Sequence, residues 1–127
     1  MNKKAIVLPI MIICLLAFLG GCGEETIEGN WLLVSEIDSD GTVLKGEDLE
    51  KIGVKETYVI SGSSVQYTCY VMGKEIPITM TLKKTGDKTY DFIAGSITFA
   101  SVKLDGKNFS YTVGEGSDSL TMIFERQ

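Results

Sequence analysis

Carboxylates at alternate positions are the densest chemistry in this chain. Residues 36–47 read Glu36-Ile37-Asp38-Ser39-Asp40-Gly41-Thr42-Val43-Leu44-Lys45-Gly46-Glu47. Acids at the first, third, fifth and twelfth places, with glycine at the sixth for a sharp bend, are the donor pattern of a twelve-residue calcium loop. Glu36, Asp38, Asp40 and Glu47 are therefore candidate calcium ligands. Two features pull the other way. The first donor is Glu rather than Asp, and residues 31–35 before it read as a strand, where a helix is needed. The same segment reads more simply as a solvated acidic turn after the first strand.

Other reaction chemistry is thin. The chain has no histidine, which removes Ser-His-Asp and Cys-His nucleophile systems and His-based zinc sites. No Gly-rich phosphate loop is present. Cys69 has no base to activate it and reads as a small strand residue rather than a nucleophile or redox thiol. No catalytic residues are assigned, and the chain is expected not to be an enzyme.

A second chemistry-bearing residue lies near the N-terminus. Lys3 and Lys4 form a short basic head, and residues 5–21 carry no charge. That run of 17 residues is short for a membrane span, which needs about 20, and Pro9 interrupts it. The pattern is that of a cleaved secretory signal. It ends Leu19-Gly20-Gly21-Cys22, which resembles the lipobox of bacterial lipoproteins. The resemblance implies that residues 1–21 are removed. Leu19 then fills an apolar subsite of the signal peptidase, Gly20 and Gly21 give it access, and the Cys22 thiol carries diacylglycerol with a further fatty acyl (palmitate-type) chain on the new N-terminus. One acyl chain holds a protein only marginally, whereas two or three anchor it firmly. Gly23 follows the cysteine, so the Asp that marks inner-membrane retention in enteric bacteria is absent. The expected location is the extracytoplasmic face of the cell membrane or envelope.

Removing the first 21 of 127 residues leaves 106, enough for one small domain. All 17 acids but only ten of the 12 bases remain, a formal charge of −7. This balance argues against nucleic acid and against a polybasic grip on lipid. Cys69 is the only cysteine besides Cys22 in that stretch, so no internal disulfide supports it. Residues 22–28 form the lipidated cysteine and a short tether. From Gly23 on it spans at most roughly 20 Å, at about 3.3–3.6 Å per residue.

Residues 29–127 read as successive strands, with apolar and polar residues alternating at period two. Trp31, Leu33 and Ile37 mark the first. Tyr58 and Ile60 mark the second, and Val65, Tyr67, Cys69 and Val71 share one face of the third. Ile76, Ile78, Met80 and Leu82 form the clearest run. Tyr90 and Phe92 follow, then Ile97 and Phe99 with a bulge expected near Ser101 before Val102 and Leu104. Phe109, Tyr111 and Val113 make the seventh, and Leu120, Met122 and Phe124 the last. Gly-containing turns separate them, Asp105-Gly106 the strongest hairpin signal. Only residues 46–52 look helical. Eight strands joined by short turns favour an all-β antiparallel up-and-down barrel, with a β-sandwich as the alternative.

The opening Gly29-Asn30-Trp31 resembles the Gly-x-Trp of lipocalins and small bacterial lipocalin-like domains. Asp40-Gly41 and the final stretch ending at Arg126 fit the same family. The resemblance implies that Gly29, Trp31 and Arg126 close one end of the barrel, with Arg126 over the Trp31 ring. It also implies an internal cavity, kept small here by a short domain without the family's helix before the last strand. Tyr58, Tyr67, Phe92, Phe99, Phe109, Tyr111 and Phe124 are the candidate cavity lining. Such residues more often simply fill a small barrel.

The expected function is a membrane-anchored, non-enzymatic binding module for a small apolar ligand or an envelope protein. The alternatives are a structural or assembly lipoprotein with a packed barrel and no ligand, or a calcium-binding surface module. No cofactor is expected beyond the acyl groups on Cys22, with calcium as the one candidate ion.

Overall fold

The computed structural model describes residues 26–127, so the signal segment and Leu19, Gly20, Gly21 and Cys22 lie outside the described residues. Nine strands follow in order: β1 (Gly29–Asp38), β2 (Val43–Lys45), β3 (Val54–Ser61), β4 (Ser64–Val71), β5 (Lys74–Lys84), β6 (Thr89–Ala94), β7 (Ile97–Asp105), β8 (Asn108–Val113) and β9 (Leu120–Arg126). A short helix α1 (Gly46–Lys51) sits between β2 and β3, and a single 3₁₀ turn (Gly116–Asp118) precedes β9.

All pairings are antiparallel, and β9 pairs back onto β1, so β1 and β3–β9 close into an eight-stranded up-and-down barrel. Closure removes the sheet edges that a sandwich would leave. The extra strand, β2, pairs only with the second half of β1, from Ser35↔Lys45 to Ile37↔Val43. It escapes the alternation pattern because all three of its residues are exposed.

Four hairpins have two-residue loops. Gly62, Gly95 and Gly106 each take the first loop position with positive φ, as a II′ turn requires. The β4–β5 loop differs: Met72 (φ 51°) and Gly73 (φ 82°) are both left-handed, the I′ arrangement.

The core is aromatic. Tyr58, Phe92, Phe109 and Phe124 are fully buried, and the Tyr58 ring centroid lies 4.8–6.3 Å from those of Tyr67, Phe92, Phe109, Phe124 and Tyr111. Packing of this density means that truncating Phe109 or Phe124 to Ala costs about 3–5 kcal/mol.

Two bulges redirect side chains that simple alternation misplaces. Leu33 faces Phe124 and Ser35 faces Ile123, so Val34 is the extra residue in β1. Beyond it the inward parity switches: Glu36 opposes the buried Met122 and faces the interior, while Ile37, expected on the inward face with Trp31 and Leu33, turns outward. In β7 the bulge falls on Phe99 rather than near Ser101, because Phe92 pairs with Ala100 and Ile93 with Thr98. Ala100 therefore enters the core with Val102 and Leu104, and Phe99 stays 37 % exposed.

Candidate functional site: the open end of the barrel

The two ends of the barrel are built differently. At one end the chain enters β1 through Ile27, which is buried, and Trp31 donates from Nε1 to the Ile27 carbonyl at 2.9 Å. Arg126, at the end of β9, lies with its guanidinium carbon 4.4 Å from the Trp31 ring centre. It donates to the carbonyls of Glu28 (2.6 Å) and Thr26 (2.7 Å). Gly29 has φ +139°, and a Cβ there would come within 2.8 Å of Arg126 Nη1. Gly29, Trp31 and Arg126 thus sit together and plug this end.

At the other end, the inward-facing rows run on past the filled core and stay exposed. Val71 opposes Lys74 at the end of the Val65–Tyr67–Cys69 row, and Ile76 continues the Ile78–Met80 row. Ile97 opposes Ala94, and Val113 opposes Leu120. These side chains point toward the barrel axis yet remain 38–70 % accessible. Together they form the apolar wall of an open cup on β4, β5, β7 and β8. Phe99 leans onto Tyr67 at the same level, with 5.3 Å between ring centres.

The opposite wall is acidic. The bulge in β1 turns Glu36 inward, and Asp38 opposes Leu120 at the rim. Glu56 occupies an inward position of β3 between Val54 and Tyr58 and is buried. Tyr67 donates from its hydroxyl to Glu56 Oε1 at 2.7 Å, and the Tyr58 and Tyr111 hydroxyl oxygens share a 2.8 Å hydrogen bond. Cys69, partly buried, pairs with Glu56 across β3–β4.

Burial dominates the electrostatics. It raises the Glu56 carboxyl above its ordinary range; the Tyr67 hydrogen bond opposes the rise and the Glu36 charge adds to it. Glu36 is likewise raised by burial, with Asp38 contributing. The hydroxyls of Tyr58, Tyr67 and Tyr111 are held far above the usual phenol range, chiefly by desolvation. They are therefore neutral donors and acceptors at any physiological pH, and the Tyr67–Glu56 contact can orient a carboxylate without proton transfer.

The seven aromatics read from the sequence come together, six of them as touching rings in the barrel centre and Phe99 at the lip. They fill the space between them rather than surround a chamber.

The four acidic residues of the 36–47 segment are not gathered. Glu36 lies inside the cup, and Asp40 sits in the β1–β2 turn. There Asp40 Oδ1 accepts from the Thr42 backbone N–H (2.9 Å), which holds its carboxyl below the ordinary value. Glu47 belongs to α1. Among the described residues, no group of three or more Asp, Glu or Cys side chains is placed to hold a metal ion.

Sequence reasoning missed Glu56, which sits in the run Val54-Lys55-Glu56-Thr57-Tyr58. A charged residue at an inward strand position was the available signal.

No protein-family model and no curated protein sequence matches the chain.

Two clefts of about 450 and 310 Å³ lie along β1 and β3, the first beside their paired stretch and the second beneath α1, where they separate. Leu32 and Lys55 contribute to both. Neither includes the cup residues Glu36, Glu56 or Tyr67.

Proposed function

We propose that this chain is a lipid-anchored, extracytoplasmic binding module of the lipocalin-like kind, without catalytic activity, which holds an envelope protein partner at its open end. The observation that carries this reading is the set of inward-facing apolar side chains left exposed at one end only. Burying exposed apolar surface contributes about 25 cal/mol per Å², and such residues gathered in one place mark an interaction surface rather than scatter.

The tether reading agrees with this placement. Thr26 and Ile27 are fastened at the plugged end, so an anchor at Cys22 would lie on that side. Strands of six to eleven residues, rising about 3.3 Å per residue and tilted by about 40°, carry the cup roughly 20 Å farther from the membrane. An open end turned away from the bilayer suits a partner in the aqueous envelope better than a lipid. The filled aromatic centre favours the same choice, because a whole small apolar ligand would have to displace Tyr58 or its neighbours. The lack of any histidine and the neutral tyrosines support a non-enzymatic role.

Native mass spectrometry of the lipidated chain, released from membranes in mild detergent, tests the reading. A complex with a second polypeptide, and a free subunit at the mass of the acylated chain alone, is the expected result. A persistent adduct of a few hundred daltons on the free subunit would replace the protein partner with a small-molecule ligand.

A further inference from the structure

The acidic wall of the cup says what its occupant must bring. Val71, Ile76, Ile97 and Val113 supply hydrophobic contact, while Glu36 and Glu56 bring carboxylates to the same opening from β1 and β3, Glu56 on the strand next to Val71. Among the described residues no Lys or Arg answers these two carboxylates from below the rim; Lys74 takes an inward position at the rim itself, level with Val71. Tyr67 occupies one oxygen of Glu56 and fixes its orientation. An occupant with only apolar groups would leave this acidic wall stripped of water and unpaired, which is costly.

Met72 adds an independent observation. It is the sole non-glycine residue with positive φ among the described residues, at 51°, and it is 89 % exposed. Its loop position prefers Asn, Asp or Gly. A long apolar side chain held there in water gains nothing for the fold. It stands above the cup at the tip of the β4–β5 hairpin, beyond reach of a small molecule lodged inside, and methionine is favoured at surfaces that adapt to a partner. The cup is also shallow: above the Cys69–Ile76 pair only one further inward residue remains on each strand, Val71 on β4 and Lys74 on β5, a depth of roughly 7 Å at about 3.3 Å per residue. That depth accepts one or two side chains.

Resting on the partner-binding reading above, we infer that the open end docks a protein segment that pairs apolar side chains with a lysine or arginine. The apolar groups seat on Met72, Ile76 and Ile97, and the cation enters the cup between Glu36 and Glu56.

A dodecapeptide phage library panned on the full lipidated chain in phospholipid nanodiscs, with empty nanodiscs as counter-selection, tests this. Recovered peptides are then titrated against wild type, the Glu36→Gln/Glu56→Gln pair and the Met72→Asn/Ile97→Ser pair. Gln at position 56 still accepts the Tyr67 hydrogen bond, and the rim changes are at exposed sites, so each variant is checked for an intact melting transition. The expected peptides carry Lys or Arg beside apolar residues, bind each variant at least tenfold more weakly, and fail when the base is replaced by Glu. Peptides without a base that weaken only on the rim variant would overturn the cation and leave the cup as a docking site. Peptides that bind both variants as they bind wild type, or no enrichment over empty nanodiscs, would overturn the docking site as well.

Discussion

Tyr67 and Glu56 meet across neighbouring strands, the phenol hydroxyl 2.7 Å from Oε1 of a buried carboxyl. The bond lies where the filled core ends and the open cup begins. It keeps a charge-bearing group at the floor of the opening, below Glu36 and Asp38 of the acidic wall, and it gives the protein a pH signature.

Burial raises the folded-state value of Glu56 above the ordinary 4.5. The folded chain therefore holds more protons than the unfolded chain just above pH 4.5, and stability falls as pH rises from there through the folded value. Glu36 acts in the same direction. Asp40 acts oppositely, but at lower pH and in full solvent. Glu56→Gln is expected to flatten the decline and to raise Tm relative to wild type at pH 7 more than at pH 4.5. Tyr67→Phe removes the donor that favours the charged form and should cost about 1–3 kcal/mol at pH 7, less at pH 4.5. Thermal melts across this range decide it; identical pH profiles for wild type and Glu56→Gln would contradict the assignment.

The plugged end depends on Arg126. Arg126→Ala removes two charge-assisted bonds to backbone carbonyls and the contact with Trp31, an expected loss of about 2–3 kcal/mol. Arg126→Lys keeps the charge but not the planar fork, and should recover less than half. Gly29→Ala should resemble Arg126→Ala, since its methyl collides with Nη1. Denaturant unfolding measures all three. A neutral Arg126→Ala would show that Trp31 alone closes the barrel.

Met72 carries backbone strain without a compensating contact. Met72→Asn places a residue suited to the left-handed region and is expected to stabilise the fold by about 0.5–1 kcal/mol, a rise in Tm of roughly 2–8 °C. A fall in Tm would mean that Met72 packs against the barrel in solution and is no free docking residue.

The proposed envelope address rests on Cys22. Globomycin should cause the full-length precursor to accumulate, and Cys22→Ser should abolish incorporation of labelled palmitate and release the chain from the membrane fraction. Processing that ignores globomycin would contradict a lipid anchor.

Much of the fold was legible because a small barrel obeys period two: Val65, Tyr67 and Cys69, or Ile76, Ile78 and Met80, announce their face directly. The errors fall at bulges. One extra residue at Val34 reverses the parity of β1 and exchanges Ile37 for Glu36 on the inner face. One at Phe99 moves that ring to the lip. Alternation carries no mark of such an insertion, and three exposed residues, Val43, Leu44 and Lys45, give no face to read. The cup was hidden for the same reason. Glu36 looked like one donor of a surface loop, and Glu56, eleven positions from Tyr67 and twenty from Glu36, became part of a site only once β1, β3 and β4 were brought together.

Site-specific photo-cross-linking in the producing cell tests the central claim most directly. A photoreactive side chain is placed at Met72 or Ile97 on the open end and, as the comparison, at Lys88 or Lys107 in turns of the plugged end. A discrete adduct with one polypeptide from Met72 and Ile97 only, lost when Ile76 is changed to Ser, is the predicted result. Adducts confined to Lys88 and Lys107, or the same adducts from both ends, would contradict an open-end binding module.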